Sequence, residues 1–352
     1  MFHMGADIGI DLGTANVIVY VIGKGIVIEE PSVVAIDNNN GKVIAVGDKA
    51  RLMLGRTPGN IMAVRPLRDG VISDYDVTEK MLRYFISKAN GNKVVFKPRV
   101  MICVPSCVTG VEERAVKQAA IQAGAKSAHV IEEPMAAALG AGLDITQPDG
   151  TMVVDIGGGT IDIAVLSLGG IVISRSIRVG GDKFDEAIVR YIRREFNLAI
   201  GDRTAEEIKM NIADSCPDVE PMMETQVRGR NLLNGLPQEI TITSYQIYNA
   251  IVENLTSLVN TVKEVLEITP PELASDIMNK GIVLTGGGAL LKNIDLLISQ
   301  ETGLNVIIAE DPLSCVARGT GKALTTLNIL TNNKKKERVV SRQMNQHSIN
   351  VG

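Results

Sequence analysis

Residues 152–170 read MVVDIGGGTIDIAVLSLGG, and residues 8–20 read IGIDLGTANVIVY. In both, a β-branched apolar run ends in an aspartate, glycines and small polar residues follow, and a second apolar run begins. Setting Asp11 against Asp155 aligns Leu12 with Ile156, Gly13 with Gly157 and Asn16 with Thr160. Each stretch therefore reads as strand, tight turn, strand. Three consecutive glycines are a costly way to close such a turn, because glycine loses the most backbone freedom on folding. They make sense where backbone N–H groups must approach an anion with no Cβ in the way. A glycine-rich turn also arises for steric reasons alone, and the matched strand-end aspartates are what favour phosphate. Carboxylates would repel phosphate directly. Asp11 and Asp155 instead suit a Mg²⁺ that bridges phosphate oxygens, held mainly through water.

Working outward, the chain alternates strand and helix patterns twice over, which predicts an α/β fold of two lobes. Strands are expected across Ile8–Ile28, with a break at Gly23–Gly25, and at 32–37, 43–46, 100–104 and 128–131. Residues 77–89, 112–124 and 134–142 read as helices, the last with proline at its start and glycine beyond its end. The second half repeats the scheme. Strands are expected over 152–165, 170–179, 281–284 and 305–308, and 219–243 is strand-rich. Helices are expected over 183–196, 205–213, 244–266, 290–303 and 316–330.

A chain of 352 residues with 45% apolar side chains can bury a large core, and at 3% aromatic content aliphatic residues must fill it. The net charge of −4 argues against nucleic acid as a partner. Four scattered cysteines and three histidines give no metal-ligand spacing and fit a reducing cytoplasm. No apolar run approaches the ~20 residues that span a bilayer, so a soluble protein is expected.

A third glycine cluster, Gly286-Gly287-Gly288-Ala289, ends one apolar run and opens another. Backbone there can lie flat against a purine or ribose. Neither G-x4-G-K-[ST] nor a strand-to-helix G-x-G-x-x-G is present, which disfavours P-loop and Rossmann sites.

Together, IGIDLGTANVIVY, IEEPMAAALGAG, VVDIGGGTIDIAVLSLGG and IVLTGGGALLKN resemble the actin, heat-shock chaperone and sugar-kinase ATPase superfamily. The finer resemblance is to the MreB family of bacterial actin homologues. It is carried by Arg65–Tyr75 (RPLRDGVISDY), Phe96–Val100 (FKPRV), Val179–Ala187 (VGGDKFDEA) and Thr269–Leu273 (TPPEL), and it runs from about residue 7 to residue 330. The resemblance implies the actin-like ATPase fold: two duplicated ribonuclease-H-like lobes, each with a smaller subdomain, and ATP or ADP with Mg²⁺ in the cleft between them. It further implies residues 1–32, 66–146 and 313–331 as subdomain IA, 33–65 as IB, 147–181 and 246–312 as IIA, and 182–245 as IIB. By composition, residues 332–352 are expected to be a basic tail without fixed structure.

Residue by residue, the resemblance assigns Gly13, Thr14, Ala15 and Asn16 to the first phosphate loop and Gly157, Gly158, Gly159 and Thr160 to the second. Gly181 and Asp182 also fall on the nucleotide. Gly286, Gly287, Gly288 and Ala289 match the adenosine motif, and Glu206 and Lys209 match contacts to ribose and base. Glu133 matches the glutamate that positions the attacking water, with Thr160 as a supporting hydroxyl. Read without the resemblance, Glu132-Glu133 is an acidic pair favoured at a helix start by the macrodipole. The family commonly carries Gly-Gly-Gly-Thr-Thr-Glu where this chain has Ile161-Asp162, a departure beside the terminal phosphate.

The resemblance implies head-to-tail filaments paired antiparallel, slow polymerisation-coupled ATP hydrolysis, a role in cell shape or motility and a place at the inner face of the cell membrane. A paralogue of the same family is a further expected partner. The six or so residues before the first strand leave no room for an N-terminal amphipathic anchor. Two other features point to an anionic membrane: Val94, Val95 and Phe96, flanked by Lys93, Lys97 and Arg99, which by the resemblance match a loop that inserts apolar side chains into lipid, and a tail carrying Lys334, Lys335, Lys336, Arg338 and Arg342 against Glu337. The first also reads as a strand start and the second as a solubilising tail. The alternative function is a small-metabolite kinase on the same fold, though no general-base aspartate or substrate-pocket insertion stands out for it.

Overall fold

The computed structural model describes residues 7–91, 97–219 and 221–326. The chain opens with β1 (Asp7–Leu12), β2 (Asn16–Val21) and β3 (Gly25–Pro31). A small unit follows: β4 (Val34–Asp37), β5 (Val43–Val46), the single-turn α1 (Asp48–Arg51) and β6 (Ile61–Val64). A two-stranded hairpin, β7 (Leu67–Arg68) and β8 (Val71–Ile72), leads into α2 (Tyr75–Ala89). Then come β9 (Arg99–Val104), α3 (Gly110–Gln122), β10 (Ser127–Glu132) and α4 (Glu133–Gly140).

The second half begins with β11 (Thr151–Ile156), β12 (Ile161–Ser167), β13 (Gly170–Ile177) and α5 (Gly181–Phe196). Its small unit contains β14 (Leu198–Ala199), α6 (Asp202–Ile212), β15 (Glu224–Asn231) and β16 (Pro237–Thr243). It closes with α7 (Ser244–Glu267), α8 (Pro271–Lys280), β17 (Ile282–Thr285), α9 (Ile294–Thr302) and β18 (Val306–Ile308). A last helix runs over residues 315–326.

The two large sheets have the same build. One has the order β10-β9-β1-β2-β3 and the other β18-β17-β11-β12-β13. In each, three sequential strands form an antiparallel meander and two more join in parallel beside the first. Parallel neighbours need crossovers, and the helices that supply them cover the sheets. β11 and β12 are buried along their whole length, which is why they read as unbroken apolar runs rather than alternating ones. Each half has its own core, one around Ile10, Phe85 and Ile102, the other around Val154, Phe184 and Ile251.

Helix ends follow local chemistry. Asp74 caps α2 by accepting from Val77 N–H, and Thr109/Glu112 and Thr243/Gln246 form reciprocal capping boxes on α3 and α7. Where the halves meet, α4 and the last helix cross backbone to backbone. A Cβ on Gly140 would overlap the Cys315 carbonyl, and one on Gly319 would overlap the Ala136 carbonyl.

Several elements differ from the sequence expectation. The helix expected over 290–303 starts later, as α9 at Ile294: Leu290 ends a 3-10 turn over Gly287–Leu290, and Asn293 before α9 is in the left-handed region at φ 60°. Asn tolerates that conformation, and its side chain donates to Asp214 at 2.9 Å. Helix α8 was not expected; Pro270 precedes it and Pro271 opens it, and proline suits a helix's first turn. The short strands β6, β7, β8 and β14 also went unread. Among the described residues no helix is long and apolar enough to cross a membrane.

Candidate functional site

The hairpin turn between β1 and β2 and the one between β11 and β12 face each other across the junction of the two halves. A Cβ on Gly158 would stand 2.7 Å from Ala15 Cβ and 3.2 Å from its nitrogen, and one on Gly159 would overlap the Thr14 hydroxyl. Only bare backbone fits there. The first turn is pinned by the Ser32 hydroxyl, which donates to Gly13 O at 2.5 Å. In the second, Gly157 N–H donates to Thr160 O at 2.9 Å, and Gly181 N–H returns to Gly157 O at 3.0 Å.

Below these turns opens a cavity of about 820 Å³, within the size range of small-molecule sites. Its wall includes every residue that the sequence assigns to nucleotide, metal or catalysis except Ala289: Asp11, the turn residues 13–16 and 157–160, Glu133, Asp155, Gly181, Asp182, Glu206, Lys209 and Gly286–Gly288. Ala289 instead packs into the second core, fully buried, because the 3-10 turn directs its methyl inward.

Asp155 is buried and accepts from the Thr285 hydroxyl at 2.7 Å. Burial pushes its carboxyl up to about 7 against that hydrogen bond, and Asp11 and Asp162 add to the rise. Asp11 is pushed up to about 6, again chiefly by burial, while the Cys103 thiol, 3.3 Å from Oδ1, opposes it. Two oxygen donors short of positive charge, beside phosphate-sized backbone nests, fit a divalent cation that completes its shell with water and phosphate. Among the described residues no group of three or more His, Cys, Asp or Glu forms a protein-only metal cage. Asp11 and Asp155 would hold Mg²⁺ here, and its charge would neutralise phosphate oxygens.

Glu133 opens α4 in the same wall. Its carboxyl lies well above the ordinary range, first through burial and then through Asp162, Asp155 and Asp11. Two further residues are already engaged. Lys209 pairs with Asp185 at 2.8 Å and donates to Gly181 O at 2.9 Å, and burial raises Asp185 to about 6 despite that pairing. Glu206 pairs with Arg51 at 2.7 Å.

The structure adds residues that the sequence did not single out. Arg65 donates to Asp182 at 2.8 Å, joining the segment before β7 to the first turn of α5. Gly70, at the tip of the β7–β8 hairpin, donates its N–H to the Thr14 hydroxyl at 3.1 Å and lines the cavity. Both lie within the Arg65–Tyr75 motif, so a signal existed, but nothing in it says which residues turn inward. Thr285 and Asp185 also lie within quoted motifs that do not say which way their side chains turn, and Arg51 carried no local signal. Val95, Phe96, Lys334, Lys335, Lys336 and Arg338 lie outside the described residues.

The family model described as MreB/Mbl protein matches residues 5–332. The chain is 54% identical over 328 residues to the cell shape-determining protein Mbl of Bacillus subtilis strain 168, covering 93% of this chain and 98% of that one. It is 54% identical to the cell shape-determining protein MreB of Escherichia coli K12, covering 92% and 94%. Among solved structures, MreB 5 of Spiroplasma citri bound to AMPPNP superposes with a TM-score of 0.89 at 42% identity, covering 94% and 99%. The MamK double helical filament gives 0.77 at 21% identity over 91% and 98%, a likeness of fold alone.

Proposed function

The chain belongs to the MreB/Mbl family, and from that premise we propose that it is a cytoskeletal ATPase. In this reading it binds ATP with Mg²⁺ in the cavity between its halves, polymerises into filaments, and hydrolyses ATP slowly to control them. The fold is the actin-like ATPase fold. One observation carries the reading: two equivalent turns meet with no room for a side chain on Gly158 or Gly159, and each is flanked by a strand-end aspartate that lines the same cavity.

Gly13–Asn16 and Gly157–Thr160 would cradle the phosphates with their N–H groups, and Gly181 and Asp182 would flank them. Gly286–Gly288 would lie along adenosine, with Glu206 and Lys209 toward the ribose and base. Glu133 would orient the attacking water in line with the terminal phosphate, assisted by the Thr160 hydroxyl. The relative from Spiroplasma citri has been solved with AMPPNP and with ADP, which supports a nucleotide in the equivalent place.

Self-association follows from the family and from the filament of MamK. A head-to-tail contact does not close, so it propagates. Antiparallel pairing, the subdomain divisions, a paralogous copolymer, cell shape or motility as the output, and docking on the inner membrane through Val95, Phe96 and the basic tail belong to the same proposal. Sedimentation of the full chain with Mg-ATP, with Mg-ADP and with neither is the test. Nucleotide-sensitive pelleting with phosphate release is expected. A chain that stays in the supernatant and instead phosphorylates a small metabolite would replace this reading with the kinase one.

A further inference from the structure

Ile161 and Asp162, where the second turn leaves the family pattern, have separate fates. Ile161 is fully buried in the second core. Asp162 is also fully buried, but as a carboxylate at the junction of the halves. Its Oδ1 accepts from Ser106 N–H at 2.8 Å, a donor on the turn that follows β9 in the other half. Its Oδ2 has no N–H or O–H in hydrogen-bonding geometry, although the Thr160 and Ser176 hydroxyls stand close by. The carboxyl of Glu133 lies within hydrogen-bonding reach of Asp162.

A buried carboxylate oxygen without a donor is rare and calls for a reason. Here the reason is the neighbour. Ser106 fixes one oxygen of Asp162, so the other has a defined direction, and the Glu133 carboxyl that lines the cavity lies close to this aspartate. Asp162 and Glu133 are thus joined across the two halves at the phosphate end of the cleft. Asp162 sits one turn from Gly157–Thr160, and Glu133 sits on α4.

We propose that Asp162 is a positioning residue for Glu133: anchored on the Ser106 N–H, it holds the Glu133 carboxyl through one proton shared between Oδ2 and that carboxyl, and so sets its aim at the terminal phosphate. This rests on the reading of Glu133 as the water-orienting residue. Asp162 does not itself touch nucleotide, so its loss acts on turnover and not on binding.

The test compares Asp162→Ala, Asp162→Asn, Glu133→Gln and the double variant Asp162→Ala/Glu133→Gln in the full chain. Readouts are single-turnover phosphate release and ATP affinity. Asp162→Ala is expected to slow release at least tenfold with ATP affinity within about twofold. Asp162→Asn keeps an acceptor for Ser106 and offers an N–H to Glu133, so it should stay within about threefold of the parent. The double variant should be no slower than Glu133→Gln alone, because residues acting as a unit are not additive. If Asp162→Ala does not fold, Asp162→Leu keeps the volume without the oxygens and carries the same expectation. If Glu133→Gln releases phosphate normally, the reading of Glu133 fails and the proposal falls with it. If Glu133→Gln is slow but Asp162→Ala is not, or the two losses multiply, the proposal alone is overturned.

Discussion

Arg51 Nη2 lies 2.7 Å from Glu206 Oε2, an ion pair that ties the small unit of the first half to that of the second over the mouth of the cavity. The two side chains keep 35% and 21% of their surface exposed, so the pair contributes at most about 1 kcal/mol to folding. Its larger effect is on traffic. In the proposed reading a nucleotide passes this pair on its way in or out, and Glu206 turns from Arg51 toward the ribose. Arg51→Ala is expected to speed dissociation of a fluorescent ATP analogue about fivefold, the equivalent of ~1 kcal/mol, with little change in melting temperature. Stopped-flow dissociation unchanged from the parent would remove the latch from the exchange pathway.

Gly158→Ala probes the meeting of the two phosphate turns. The added methyl would sit 2.7 Å from Ala15 Cβ and must push one turn from the other. Overpacking of this kind costs about 1–3 kcal/mol. The displacement falls on backbone that would hold phosphate, so ATP affinity should drop at least tenfold while the protein stays folded. Calorimetric titration with Mg-ATP checks it, and parental affinity would contradict the two-turn clamp.

The buried carboxylates predict a pH dependence with a definite sign. Asp11 is raised to about 6 and Asp155 to about 7, against roughly 3.9 in an unfolded chain. Between about pH 4 and 7 the folded protein therefore holds protons that the unfolded chain has released. These two groups make the nucleotide-free protein less stable as pH rises through that window, and the loss levels off above it. A bound cation would supply the missing positive charge once the protons leave. The rise in melting temperature on adding Mg-ATP should accordingly be larger at pH 7.5 than at pH 5.5, and Asp155→Asn should reduce the difference. Equal increments at both pH values would count against the two aspartates as the cation's ligands.

The tail offers a prediction that depends only on sequence. Five basic residues against one acid follow Thr331, and each basic residue near an anionic leaflet contributes about 1 kcal/mol, less at high salt. Truncation before Thr331 should cut co-sedimentation with anionic vesicles several-fold and leave ATP-driven pelleting intact. Undiminished vesicle binding would assign the membrane contact elsewhere.

The doubled turn was legible because both copies keep strand, aspartate and glycine in sequence, and a local pattern encodes a local structure. Helices α2, α3 and α7 were legible for the same reason, their caps and apolar spacing being contained within one segment. Cross-chain partners were not. Arg51 finds Glu206 from 155 positions away, Arg65 finds Asp182 from 117, and Thr285 finds Asp155 from 130, and no periodicity carries such information. The break at Asn293 escaped for a different reason. Leu290–Gly303 is apolar enough to read as one helix, and only the Asp214 partner shows why asparagine there turns left-handed. Ala289 was placed on the ligand side by its glycine neighbours, whereas the tight 3-10 turn rotates it into the core.

The crossing of α4 with the last helix leaves these two helices no room to slide past one another. Gly140 rests against the Cys315 carbonyl and Gly319 against that of Ala136, so there is no layer of side chains to slide upon. Sliding of one helix along the other is opposed by backbone atoms rather than by side chains that could repack. Glu133 opens α4, so this bare contact fixes the place from which its carboxyl reaches the cavity wall.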